Sequence, residues 1–327
     1  MIKETVYKTE IGGKEVSVQL GKYCGQASGH CIVRCGDTVV MVNATMAKAP
    51  RPGMDFFPLS VDYEEKMYSV GKIPGGYKKR EGRPGDNAIL KSRLIDRPLR
   101  PLFPKGFYND VTIAAIPLSV DTDIAPETLA MLGSSIALSI SDIPFEGPTG
   151  AVKVVCIDGK FKVNPTVAEV EASCIDLTVS GTKEAILMVE AGANEVSEEL
   201  MLDAIMFAHE EIKKQVAFQE SIVADLKVEK TTKLKFDEIP EEIDAAVRAY
   251  AQEKIEKVFE CYDREMRQDL EDELDEEVQT HFAEIFPEQA KAVGQVLYNM
   301  KKELVRHKIL YKNIRPDGRK TNEIRPI

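Results

Sequence analysis

Apolar and polar residues alternate through the first part of this chain. ETVYKTEIGGKEVSVQL (4–20) alternates on both sides of Gly12-Gly13, which predicts two strands joined by a tight hairpin. HCIVRCGDTVVMVNATM (30–46) repeats the pattern around Gly36-Asp37, and DVTIAAIPLSV (110–120) predicts one further strand. PETLAMLGSSIALSIS (126–141) is apolar on all sides and opens on Pro126, as expected of a buried helix with proline in its first turn. GAVKVVCIDGKFKVNP (150–165) predicts a third hairpin at Asp158-Gly159. CIDLTVSGTKEAILMVEAGA (174–193) predicts a strand pair turning at Gly181.

The period then changes from two to 3.6. A long helix is expected from Ser197, its N-cap, to Lys227, with Glu198 and Glu199 on the positive end of its dipole. Residues 1–228 therefore read as an α+β domain. Residues 229–236 lose apolar density and read as a linker. Ile243, Val247, Tyr250, Val258, Tyr262 and Met266 recur at helical spacing, and after a break at Pro287 the pattern resumes to Ile309, so 237–311 reads as a small all-helical domain. Residues 312–327 (KNIRPDGRKTNEIRPI) are basic and turn-rich, as though a further domain begins there.

Composition narrows the class. At 327 residues, 43% hydrophobic and 30% charged, the chain reads as soluble and globular. It carries no membrane-length apolar run and no signal peptide, so a cytoplasmic location is the expectation. None of the six cysteines forms a C-x-x-C pair, which favours buried, reduced thiols over zinc or redox chemistry. The four histidines are scattered, and His281, in an apolar helical stretch, reads as structural. H-E-x-x-H, Walker A and G-x-G-x-x-G patterns are absent.

The net charge of −11 conceals two opposite regions. Lys72 to Lys105 holds ten Lys/Arg against three acids, whereas Asp237 to Glu288 holds nineteen acids against five bases. The acidic stretch reads as a solvated helical surface rather than a nucleic-acid face. The basic stretch reads as a local anion site, because fields are screened over roughly 10 Å at ordinary salt. It opens on GGYKKREGRP (75–84), where Lys78, Lys79, Arg80 and Arg83 follow two glycines and Tyr77 offers a stacking surface. Arg93, Arg97 and Arg100 then fall at i, i+4 and i+7, one face of a helix that Pro98 would end or bend, with Asp96 placed to pair with a neighbouring arginine. Guanidinium forks suit phosphates. Chemistry alone leaves single-stranded nucleic acid, a small phosphate ligand and a structural salt-bridge network open.

The stretch DFFPLSVDYEEKMYSVGKIPGGYKKREGRP, followed by LKSRLIDRPLRPLFPKGF, closely resembles the bacterial polynucleotide phosphorylases, and the resemblance runs the length of the chain. It implies an RNase PH-like (ribosomal protein S5 domain 2-like) domain, a helical domain, and in IRPDGRKTNEIRPI the start of a second RNase PH-like domain. It further implies phosphate-dependent 3′-to-5′ degradation of single-stranded RNA in mRNA turnover, with Mg²⁺ and inorganic phosphate as reactants or cofactors, nucleoside diphosphates as products, and a homotrimeric ring. The loop matching Gly76–Arg80 would line a constriction through which RNA threads. Where the family often has two aromatics and two arginines, this chain has Tyr77, Lys78, Lys79 and Arg80, so its grip should depend more on charge and on salt.

The resemblance places catalysis in the second RNase PH-like domain, with no catalytic or metal-binding residue expected here. In VEASCIDLTVSG, Asp176 matches one metal-binding aspartate, but Val170 stands where the other would be and Thr178 replaces a lysine. Ala125, Pro126 and Glu127 replace a phosphate-binding serine cluster, and a carboxylate at that helix start repels phosphate. Arg93, Arg97 and Arg100 would either support the active site of the adjacent copy or brace the fold. Two classes remain: the N-terminal portion of a phosphorolytic exoribonuclease, and a stand-alone RNA-binding or scaffold module.

Overall fold

A computed structural model describes residues 3–234 and 236–326. The chain divides into two compact units, Met1–Asp237 and Glu238–Ile327, each around its own apolar core.

In the first unit the hairpins form as the alternation requires: β1 (Thr5–Ile11) with β2 (Lys14–Leu20), and β3 (Gly29–Cys35) with β4 (Thr38–Met46). Gly12 and Gly13 both adopt positive φ at the first turn, a conformation that glycine reaches without steric cost. With β5 (Leu59–Tyr63) and β6 (Val111–Ser119) they make a six-stranded sheet in the order β1-β2-β3-β4-β6-β5. Strand β5 is absent from the sequence reading; its alternation spans only LSVDY, with Leu59 and Tyr63 buried. It runs parallel to β6, so the chain must cross over between them, and α1 (Asp86–Leu99) makes that crossing. The basic loop lies in this connection, beyond the carboxyl end of β5.

Helix α2 (Pro126–Ser139) is buried at every residue from Thr128 to Ser139, because it packs against β3 and β4 on one side and β7 (Gly150–Ile157) on the other. A Cβ at Gly29 would come within 1.9 Å of the Ala137 carbonyl oxygen, so only glycine permits this approach. A second sheet, β10-β9-β7-β8, adds β8 (Lys160–Val163), β9 (Ile175–Gly181) and β10 (Ile186–Ala193). The β9–β10 connection occupies residues 182–185, just past the expected turn at Gly181. Between β8 and β9, Thr166 and Glu169 form a capping box on the short α3 (Val167–Glu171). Val170 therefore sits on a helical turn, correcting its expected placement in the strand that carries Asp176. Helix α4 (Glu198–Leu226), capped by Ser197, covers β7 and β9. The Gln215 amide both accepts from and donates to the Ala151 backbone, each at 3.0 Å, which satisfies its buried polar atoms.

The segment read as a linker is strapped to the first unit. Lys230 Nζ donates to the carbonyls of Leu138, Ser139 and Ser141 at 2.8, 3.2 and 2.9 Å, and Leu234 packs on the core.

The second unit contains α5 (Glu241–Val258), α6 (Arg264–Ala283) and α7 (Ala290–Lys312). Ile243, Val247 and Val258 are buried as the periodicity requires. Tyr262 and Met266 are 48% and 62% exposed, because α5 ends at Val258 and the break resets the helical phase. His281 is exposed and stacks on Tyr250 with centroids 4.0 Å apart. Cys31, Cys35 and Cys156 are buried; Cys24, Cys174 and Cys261 are partly exposed, and all six are free thiols. Among the described residues no helix is long and apolar enough to cross a membrane.

Candidate functional site

The basic loop presents its cations to solvent. Tyr77 is fully exposed, and Lys78, Lys79, Arg80 and Arg83 are exposed with no ion-pair partner among the described residues. The loop turns at Gly76, whose carbonyl accepts the Lys79 amide at 2.9 Å, and Lys79 takes φ 50°. The Glu81 carboxylate accepts the Met67 amide at 2.8 Å and forms no ion pair with these cations among the described residues. It anchors the loop to the 3-10 turn Met67–Val70 without neutralising it.

Helix α1 separates the three arginines by role. Arg100 donates to both Asp96 carboxylate oxygens, at 2.7 and 3.0 Å, and to the carbonyls of Phe57 and Leu59 at 3.2 and 3.1 Å. That arrangement braces the helix against the start of β5. Arg97 reaches Glu190 on β10 at 2.9 Å. Arg93 is exposed and has no partner among the described residues.

Beside α1 lies a cavity of about 310 Å³ lined by Lys91, Glu127, Lys153, Asp176, Thr178 and Glu190, with apolar residues between them. Strand periodicity puts Asp176 and Thr178 on one face of β9, and register sets Lys153 of β7 and Glu190 of β10 on either side of Thr178. Lys153 Nζ is 3.0 Å from the Asp176 carboxylate. Glu127, in the first turn of α2, is 3.7 Å from Lys91, which also pairs with Glu65 at 2.8 Å. With Arg97 on Glu190, each charge in and at the edge of this cavity has an opposite charge beside it. The donor set does not fit Mg²⁺, which requires several hard oxygens in octahedral array. Each of the three carboxylates that line the cavity already faces a cation of the protein: Asp176 faces Lys153, Glu127 faces Lys91 and Glu190 faces Arg97. Among the described residues no cluster of three or more His, Cys, Asp or Glu could hold a metal ion. Phosphate is opposed similarly, since Glu127 takes the favourable end of the α2 dipole. Sequence reasoning had Asp176, Thr178 and Glu127 but not Lys91, Lys153 or Glu190, which only the sheet register and the crossover helix bring to the same place.

The helical unit also has two faces. On α5 and α6 acids predominate, and several of the cations there are paired, such as Arg248 with Asp244 and Glu303, each at 2.8 Å. From Gln289 onward the balance reverses, with ten Lys/Arg against three acids. On α7, Lys301 turns inward to Asp275 at 2.5 Å, while Lys302, Arg306 and Lys312 remain exposed with no partner among the described residues. Tyr298, Lys302, Arg306 and Leu310 follow one another at i+4, and Tyr311 beside them is 74% exposed. The reversed tally after Gln289 was the available sequence signal.

Family models match most of the chain. Residues 12–144 match the 3′ exoribonuclease family, domain 1, and residues 147–211 its domain 2. Residues 242–320 match the polyribonucleotide nucleotidyltransferase RNA binding domain, a span that holds both the acidic helices and the cationic α7. The polyribonucleotide nucleotidyltransferase of Clostridioides difficile (strain 630) is 55% identical over 100% of this chain and 47% of its own length. That of Alkaliphilus oremlandii (strain OhILAs) is 52% identical over 98% of this chain and 46% of its own. The chain thus spans about half the length of the curated relatives it matches. Among solved structures, rice (Oryza sativa) Rrp46 superposes with a TM-score of 0.50 at 16% identity, covering 67% of this chain and 94% of its own; at that identity the likeness is one of fold.

Proposed function

The chain belongs to the polyribonucleotide nucleotidyltransferase family, and from that premise we propose that it is the RNA-guiding portion of a phosphate-dependent 3′-to-5′ exoribonuclease acting in mRNA degradation. The observation that carries this reading is the pairing of charge. The cations of the loop, Lys78, Lys79, Arg80 and Arg83, are exposed and unpaired among the described residues, whereas the cavity at Asp176 is neutralised by its own side chains. The loop holds phosphates of a single strand, Tyr77 stacks on a base, and Arg93 contributes a further phosphate contact on α1. Arg97 supports the adjacent catalytic copy once its hold on Glu190 is exchanged for RNA, and Arg100 braces the helix from which both project. On α7, Lys302 and Arg306 face RNA, and the acids of α5 and α6 stay in solvent.

Phosphorolysis belongs, on this reading, to a second RNase PH-like domain that uses Mg²⁺ and orthophosphate and releases nucleoside diphosphates. The whole protein is a cytoplasmic homotrimer. Binding of labelled poly(A) to the 327-residue chain over a salt series tests the reading. Affinity should fall steeply and log-linearly with salt, and a chain that fails to bind at low salt refutes it.

A further inference from the structure

Between the end of β5, the 3-10 turn Met67–Val70 and the start of α2 lies a second cavity, of about 440 Å³. Its size falls within the range of small-molecule sites. The walls are largely apolar, with Met67, Val70, Pro117, Val120 and Pro126 among them. Tyr63 lines it too. That residue is 1% exposed, and its hydroxyl is buried without a hydrogen-bond partner among the described residues. Burial, reinforced by the charges of Glu127 and Glu65, raises the Tyr63 pKa, so the phenol stays neutral and can both donate and accept. A native structure rarely leaves such a group unmatched. The nearby ammonium groups are already engaged: Lys91 with Glu65 at 2.8 Å and Lys66 with Glu64 at 2.5 Å. The cavity therefore suits a neutral, flat ring with hydrogen-bonding edges better than a phosphate.

Its position gives the ring a source. The Glu81 carboxylate, between Arg80 and Arg83, is bound to the amide of Met67 in the cavity wall. That bond ties the basic loop directly to the wall of the cavity. We propose that this cavity receives one unstacked nucleobase of a strand bound along the loop, with the Tyr63 hydroxyl bonding its edge. The inference rests on the reading of the loop as an RNA contact.

The test compares a short oligoadenylate with its abasic counterpart, which keeps the phosphates and lacks the rings. Binding of each to the 327-residue chain is measured at fixed salt. Tyr63→Phe should weaken oligoadenylate binding by about threefold to tenfold, the worth of one hydrogen bond, and leave the abasic strand unaffected. It should also raise the melting temperature of the free protein, because an unmatched buried hydroxyl is removed. Val70→Trp, at a half-exposed position on the wall, should fill the mouth and produce the same selective loss. Equal binding of oligoadenylate by the wild type and both variants overturns the proposal and leaves the loop reading standing. A lower melting temperature for Tyr63→Phe with unchanged binding assigns the hydroxyl a structural role, and overturns it too. Failure of the wild type to bind either strand at low salt defeats both readings together.

Discussion

The loop after β5 and the cavity at Asp176 treat charge in opposite ways. In the loop, Lys78, Lys79, Arg80 and Arg83 extend into solvent, and the nearest acid, Glu81, is turned to a backbone amide. In the cavity, Lys153 answers Asp176, Lys91 answers Glu127 and Arg97 answers Glu190. Ten basic residues within Lys72–Lys105 cannot reveal this division. An anion site is marked by cations left without partners. In the cavity, by contrast, Lys153 and Lys91 are already engaged by Asp176 and Glu127.

The largest expected difference concerns catalysis. The 327-residue chain, given poly(A), Mg²⁺ and phosphate, should release no nucleoside diphosphate, and Lys153→Ala should not restore release, because Asp176 alone cannot hold the metal. Turnover above a mock preparation would break the comparison at its root.

Next comes salt dependence. Replacing Lys78, Lys79 and Arg80 by alanine should flatten the log–log salt slope of poly(A) binding by about 2, since each phosphate contact on a single strand contributes about 0.7. Lys302→Ala with Arg306→Ala on α7 should remove about 1.4 on the same basis. Lys91→Ala with Lys153→Ala in the cavity should leave the slope unchanged; a comparable flattening there would mean that paired cations also meet RNA.

Smaller effects divide the arginines of α1. Arg100→Ala loses a bidentate pair and two carbonyl bonds, and because the side chain is 43% exposed the cost should be about 1–2 kcal/mol, or a few degrees of melting temperature. Arg93→Ala should leave melting unchanged and weaken poly(A) binding. Arg97→Ala should affect melting little, since its pair with Glu190 is exposed on both sides. Melting curves and binding isotherms on the three variants decide whether Arg93 and Arg100 differ in role as their partners do.

Much of this was legible in the sequence. Alternation located nearly every strand of the two sheets, and the apolar run at 126–141 located the buried helix. The exposed loop followed from glycine and charge. What was hidden depended on pairing between distant segments. Parallel β5 required a partner 50 or so residues away in β6 to become recognisable. The neutral cavity required the β7–β9–β10 register, which sets Lys153 beside Asp176 and Glu190 across from Thr178. The strapping of Lys230 depended on carbonyls at the end of α2, which no local pattern announces.

Lys230 completes the comparison as a third kind of lysine, neither free as in the loop nor, among the described residues, in direct ion-pair contact as in the cavity. Its ammonium donates to three carbonyls; burial opposes the charge and prevails over the attraction of the Asp142 carboxylate, lowering the pKa from 10.5 to about 8. In the unfolded chain this lysine returns to its ordinary value. Between about pH 8 and 10.5 the unfolded state therefore binds more protons, and the contribution of Lys230 to stability rises with pH through that window. Below about pH 8 both states are protonated and the contribution is flat. One proton limits the slope to about 1.4 kcal/mol per pH unit. Lys230→Met should remove that slope, so the difference in unfolding free energy between wild type and variant should change across the window and stay constant below it. Denaturant titrations at pH 7, 8, 9 and 10 measure it. A difference that stays constant throughout would mean that the three carbonyls hold the ammonium as firmly as water does, and that burial alone separates Lys230 from the lysines of the loop.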